Sequence, residues 1–180
     1  MSEVFLISDT HFFHEGVLRF EPHARPFVTV EEMNETLVDR WNKTVGKRDT
    51  VWHLGDVCFG HVRNLQIIKR LNGHKNLILG NHDNYGIRAY AALFNKIEAV
   101  KKYDGYLLSH IPIHPDQFYR FKGNVHGHLH SKQVTKSIEV EYALGWLPED
   151  VLDNRYVNVS CEHTGLAPVS WEDVKKRFNQ

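Results

Sequence analysis

Cysteine is nearly missing. Two residues, Cys58 and Cys161, stand in a chain of 180, too few for a disulfide framework, and both read as reduced thiols. Net charge is missing as well. Lys+Arg and Asp+Glu balance at 22 each, which argues against avid, sequence-independent DNA binding, because that rests on many cationic contacts with phosphates. A small phosphorylated substrate remains compatible, since bound metal ions supply positive charge locally. No apolar run approaches the roughly 20 residues of a membrane span. The opening Met1-Ser2-Glu3-Val4 carries neither the basic region nor the apolar core of a signal peptide, so the expectation is an intracellular, cytoplasmic protein without membrane partners. No repeat, low-complexity tract or linker divides the sequence, and one domain is expected over residues 1–180.

What is plentiful is histidine, with 13 residues. A surplus of imidazole without clustered cysteine points to His/carboxylate metal chemistry rather than a zinc finger, provided the positions agree. Short apolar runs alternate with helical stretches, the rhythm of an α/β protein. Strands are expected at Val4-Phe5-Leu6-Ile7, Thr50-Val51-Trp52-His53-Leu54, Asn76-Leu77-Ile78-Leu79, Tyr106-Leu107-Leu108-Ser109 and Tyr156-Val157-Asn158-Val159. Residues 29 to 45 read as a helix, with Thr29 and Glu32 as a capping box and Met33, Leu37, Trp41 and Val45 on one face. A second helix is expected over Val62 to Asn72, ended by Gly73. Ser170 to Asp173 resembles the capping box of a terminal helix.

The informative polar residues follow the strands. Asp9 and His11 follow the first, Asp56 the second, Asn81-His82-Asp83 the third and His110 the fourth, while His126, His128 and His130 follow Asn124-Val125. Groups at the carboxyl ends of strands converge on one rim, the usual place for an α/β active site. In extended backbone the i and i+2 side chains share a side, so Asp9 with His11, or His128 with His130, can grip one cation. Alone, each pair reads more readily as loop residues. Glycine precedes Asp56, Asn81 and His128, which lets the backbone turn sharply or approach a ligand closely. Asp9, His11, Asp56, Asn81, His110, His128 and His130 together make a ligand set sufficient for two cations sharing one carboxylate, and Asp56 is the candidate bridge. Two such ions ~3.5–4 Å apart clamp a phosphoryl group and hold a bridging hydroxide for in-line attack.

Taken in order, Asp9-Thr10-His11, Gly55-Asp56-Val57, Gly80-Asn81-His82-Asp83, Ser109-His110 and Gly127-His128-Leu129-His130 resemble the calcineurin-like metallophosphoesterase superfamily. The flanking Arg25-Pro26-Phe27 and His126 to Ser131 are similar to its small, capless members from bacteria and phages. The resemblance implies two packed mixed β-sheets flanked by helices. It implies one metal at Asp9, His11, Asp56 and His130 and another at Asp56, Asn81, His110 and His128. His82 is implied as the group that contacts phosphate and protonates the leaving group, with Asp83 orienting it. One departure lies at Ser160-Cys161-Glu162, where relatives carry a Gly-Val-Asp-like stretch.

Mixed Asp, Asn and His ligands suit Mn²⁺, Fe, Ni²⁺ or Zn²⁺, and Mn²⁺ is favoured here. Arg25, with Arg19 and His23 nearby, is expected to grip substrate phosphate through its planar fork. Residues 131 to 155 are expected to form a flap, with Tyr142 and Trp146 as apolar contacts. The expected activity is hydrolysis of a small phosphate monoester or diester, a nucleotide being favoured, by a monomer or small homo-oligomer. The alternatives are a metal-dependent DNA or RNA nuclease and a non-catalytic interaction module on the same scaffold.

Overall fold

The computed structural model describes residues 2–143 and 145–178. Strand β1 (Val4–Ile7) leads into a short helix α1 (Glu15–Phe20) and then the long helix α2 (Val30–Thr44). Thr29 caps α2 by accepting a hydrogen bond from the Glu32 backbone N–H at 3.2 Å. Glu32 reaches back to the Val28 N–H at 3.1 Å, so the box closes one residue before the cap. β2 (Thr50–His53), β3 (His74–Ile78), α3 (Ile87–Ala91) and β4 (Lys96–Glu98) follow. β5 (Val100–Tyr103), β6 (Tyr106–Ser109) and β7 (Asn124–His126) form the next run. After the hairpin β8 (Thr135–Tyr142) and β9 (Gly145–Leu152) come β10 (Tyr156–Asn158), α4 (Cys161–Thr164), β11 (Val169–Ser170) and α5 (Trp171–Arg177).

The chain is α/β with two mixed sheets, ordered β11-β1-β2-β3-β4 and β10-β7-β6-β5. Alternation along the strands explains their packing. Phe5, Ile7, Val51 and Leu77 face Met33, Leu37 and Trp41 of α2. Leu6, Trp52 and Ile78 face the opposite way, against Leu108, Val125 and Val157 of the second sheet and Trp171 and Val174 of α5. Three neighbouring strands of the first sheet, β1, β2 and β3, run parallel, as do β6, β7 and β10 of the second. Their carboxyl ends therefore open on common edges.

Residues 62–70 form a tight 3₁₀ helix rather than the expected α-helix. Leu65, Ile67 and Ile68 are buried there, so packing onto the sheet, rather than a regular 3.6-residue repeat, sets the winding. The expected flap is the β8–β9 ribbon, a separate two-stranded sheet on which Tyr142 and Trp146 are exposed. No helix among the described residues is long and apolar enough to cross a membrane.

Candidate metal centre

The strand ends do converge. Asp9, His11 and His130 form one group, and Asp56, His110 and His128 a second, each with potential ligand atoms within 4.8 Å of one another. Asp56 Oδ2 faces both groups, lying 3.8 Å from His11 Nε2 and 3.3 Å from His110 Nε2. Asn81 completes the second, its Oδ1 2.8 Å from His110 Nε2 and 2.9 Å from His128 Nδ1. All seven side chains singled out as ligands thus meet.

The backbone behind them is unusual. Asp9, His11, Asp56, His128 and His130 all have positive φ, between 48° and 68°. Non-glycine residues visit this region rarely, and clusters of them mark functional sites. The turns need glycine beside them. A Cβ on Gly80 would lie 2.5 Å from the Asp56 backbone N, and one on Gly127 would lie 2.6 Å from Ser8 Cβ.

Several buried polar atoms at the centre lack partners: Asp9 Oδ1 and both ring nitrogens of His11. Buried polar groups ordinarily find a hydrogen bond, so unsatisfied lone pairs converging beside two carboxylates suit a cation. His110 is set up the same way. Its Nδ1 lies 2.8 Å from the Leu54 carbonyl, which can only accept, so the proton sits on Nδ1 and the Nε2 lone pair faces inward. The donor set of carboxylate, amide oxygen and imidazole fits a borderline divalent ion.

Electrostatics agree. Burial alone would raise the Asp9 pKa, but the His11 side chain and the nearby His110 and His130 hold it well below the usual carboxylate range. Asp56 is likewise lowered against its burial, by His110, the His82 backbone N–H and His11. Both carboxylates are thus anionic and available to a cation at neutral pH. His53, at the end of β2, is pushed down to about 3 by burial and sits 2.9 Å from Thr10 Oγ1. The thiols are buried and unpaired, and burial pushes Cys58 up to about 12, which leaves it no nucleophilic role at neutral pH.

His82 stands beside the groups, not among them. Its ring is exposed, with its centroid 6.0 Å from that of His11, and its backbone N–H donates to Asp56 Oδ1 at 2.9 Å. Two expectations need correction. Asp83 does not orient the His82 ring. Its carboxylate accepts the backbone N–H groups of Asp56 and Gly80 at 2.8 Å each and of Val57 at 3.0 Å, tying together the two loops that carry Asp56 and Asn81. Arg25 is not placed to grip a phosphate. It is wholly buried, donating to the carbonyls of Thr10 and Asp9 and to Glu162, so no part of its fork is left for a phosphate.

Two residues that matter here were noted from the sequence only as a departure from the family pattern, with no part assigned to them in the centre. Ser160 Oγ donates to Asp9 Oδ2 at 2.9 Å, and Glu162 Oε1 lies 3.0 Å from His130 Nδ1. Position was the second signal, since Ser160-Cys161-Glu162 follows β10 as the other polar groups follow their strands.

No protein-family model matches the chain. It is 34% identical to the uncharacterized protein MJ1445 of Methanocaldococcus jannaschii over 184 aligned residues, covering 98% of this chain and 91% of that one. The gene 66 protein of Mycobacterium phage L5 is 30% identical over 169 residues, covering 74% of this chain and 80% of the phage protein. Among solved structures, a protein of unknown function from Aquifex aeolicus, AQ665, shares the fold at a TM-score of 0.70 and 23% identity, over 98% of this chain and 99% of that one.

Proposed function

We propose that this chain, which belongs to the family of MJ1445 and the phage L5 gene 66 protein, is a dinuclear, metal-dependent phosphoesterase of the calcineurin-like kind. The observation that carries this reading is Asp56 Oδ2 facing His11 and His110 at once, with the unpartnered atoms of Asp9 and His11 alongside. One position would be held by Asp9, His11, Asp56 and His130, the other by Asp56, Asn81, His110 and His128. A divalent ion held there, Mn²⁺ by preference, would supply Lewis acidity for the phosphoryl oxygens and for an attacking water.

The chain's own groups do the rest. The two carboxylates balance the positive charge, and the neutral Asn81 amide adds an oxygen without adding charge. His82, exposed at the rim, touches the phosphate and donates a proton to the departing alkoxide, a role typically worth ~10²–10⁴-fold. The substrate is a small monoester or diester, with a nucleotide favoured. The formal charge of zero leaves little electrostatic pull towards long duplex DNA. The protein works in the cytoplasm as a monomer or small homo-oligomer, a compartment that suits its two free thiols.

The test is a panel of bis-nitrophenyl phosphate, nucleoside monophosphates, 2′,3′-cyclic nucleotides and plasmid DNA, with Mn²⁺, Ni²⁺, Zn²⁺ and Mg²⁺ in turn, alongside the metal content of the protein. Metal-dependent turnover of small esters is expected. Salt-resistant degradation of duplex DNA without turnover of any small ester would replace this reading by the nuclease. Failure to bind any cation would leave the interaction module.

A further inference from the structure

Glu162 belongs to neither ligand group and stands on α4, far along the chain from the residues it meets. Its side chain is 1% exposed. Oε1 lies 3.0 Å from His130 Nδ1 and accepts from Arg25 Nε at 2.7 Å. Arg25 continues the chain of bonds, donating through Nη2 to the Asp9 carbonyl at 2.5 Å and through Nη1 to the Thr10 carbonyl at 3.1 Å. One carboxylate–guanidinium pair therefore joins the Asp9–His11 loop, the His128–His130 loop and α4.

An imidazole binds a cation through a bare nitrogen, and the partner of the other nitrogen decides which one is bare. An ionised carboxylate only accepts. With Oε1 against Nδ1, the His130 proton sits on Nδ1 and Nε2 keeps its lone pair. His110 reaches the same tautomer through a peptide carbonyl. His130 instead has a full negative charge behind it, which makes Nε2 the more basic ligand. A carboxylate this deeply buried stays ionised when a cation lies against it, and the fully buried Arg25 is that cation. Arg25 simultaneously fixes the carbonyls of Asp9 and Thr10, so the same pair sets the loop from which Asp9 and His11 project.

We propose that Glu162 is the positioning residue of the Asp9/His11/His130 cation position, fixing His130 as its Nδ1–H tautomer and, through Arg25, aligning the Asp9 loop. This rests on the metal-centre reading above. A purely structural ion pair would pin α4 equally well but would not need His130 in one tautomer, and the test uses that difference.

Long-range ¹H–¹⁵N correlation spectra of histidine-labelled, metal-free protein report the tautomer directly. Equilibrium Mn²⁺ titration reports the two sites. Wild type should show His130 as Nδ1–H and bind two ions. Glu162→Ala should lose the single tautomer and weaken one ion by roughly 10–100-fold while leaving the other unchanged. Glu162→Gln keeps an acceptor oxygen and should restore the tautomer and much of the affinity. Two wild-type affinities in Glu162→Ala would overturn the proposal. An Nε2–H tautomer in wild type would do so even if the alanine variant does not fold. A wild type that binds no cation at all would instead sink the metal-centre reading, with the tautomer spectrum still deciding whether Glu162 sets the His130 ring.

Discussion

Arg25→Met removes the cation between Glu162 and the Asp9 loop while keeping a side chain of similar length. The guanidinium, 0% exposed, donates to three oxygens, Glu162 Oε1, the Thr10 carbonyl and the Asp9 carbonyl, and more weakly to Met33 Sδ at 3.5 Å. Methionine replaces none of them. Glu162 would keep His130 as a partner but lose the charge that accompanies it into the interior. Breaking a buried ion pair by removing one member costs about 3–5 kcal/mol, and two carbonyls deprived of a donor push towards the upper end. Total stabilities of about 5–15 kcal/mol make that a large fraction. For a domain of this size each 1 kcal/mol moves Tm by about 2–4 °C, so the variant should melt about 6–20 °C lower. Urea and thermal unfolding of metal-free protein, followed by circular dichroism, measure this without any assumption about substrate. An arginine that gripped phosphate would behave in the opposite way, with stability preserved and KM raised. Unfolding free energy within about 0.5 kcal/mol of wild type, the usual range for a surface substitution, would refute the buried-brace argument.

Three further outcomes are expected. Asp56→Asn should abolish hydrolysis and lower occupancy at both cation positions, whereas Asp9→Asn should empty mainly one; metal analysis finding two full ions in the Asp56 variant would remove the bridge. His82→Ala should leave metal content nearly unchanged and slow hydrolysis, most for esters with poor leaving groups. Equal losses for nitrophenyl and alkyl esters would leave His82 only phosphate positioning. His53 has its pKa depressed from 6.5 to about 3 by burial, so the unfolded chain binds its proton first: the His53 contribution is whole above pH 6.5 and is lost as pH falls towards 3. One such group contributes a slope of about 1.4 kcal/mol per pH unit. Loss of urea stability between pH 7 and pH 5 should therefore be shallower in His53→Gln, and equal slopes would contradict the assignment.

The strands and the convergence of the candidate ligand side chains were legible because both obey short-range rules. Val4 to Ile7 and Thr50 to His53 are apolar runs ending in a polar residue or glycine, and parallel pairing of β1, β2 and β3 then forces Asp9, Asp56 and Asn81 onto one edge. Thr29 and Ser170 announced their helices through capping chemistry that acts over three residues. What was misread depended on distance. Arg25 sits in a loop and looked free to grip substrate phosphate, because its acceptor, Glu162, lies 137 residues away. The family resemblance implied Asp83 as the partner of His82, yet its three donors come from two loops brought together only by folding. The winding of residues 62–70 was lost for a related reason: Leu65 and Ile68 mark a buried face at i and i+3, a spacing that an α-helix and a 3₁₀ helix share.

The positive φ angles had no sequence signature at all, and they explain how the site holds its shape. Each left-handed non-glycine residue costs roughly 1–3 kcal/mol and persists only where the surroundings over-determine it. The surroundings here are backbone bonds that run on past the strand ends: Asp9 N–H to the Gly55 carbonyl at 3.0 Å, His11 N–H to Asp56 at 3.1 Å, Phe12 N–H to Val57 at 3.0 Å and Gly127 N–H to His110 at 2.9 Å. Side chains add cross-ties, with the His128 N–H donating to Asp9 Oδ2 and the His82 N–H to Asp56 Oδ1, both at 2.9 Å. The two carboxylates thus use one oxygen to fix the neighbouring loop and keep the other for the centre: Asp9 Oδ1 has no hydrogen-bond partner, and Asp56 Oδ2 faces two imidazoles. An aspartate locked in this way does not have to be reoriented when a cation arrives. The strain is therefore spent on preorganisation, and it explains why glycine stands before Asp56, Asn81 and His128: their loops approach one another too closely, at Gly80 and Gly127 above all, to admit a Cβ.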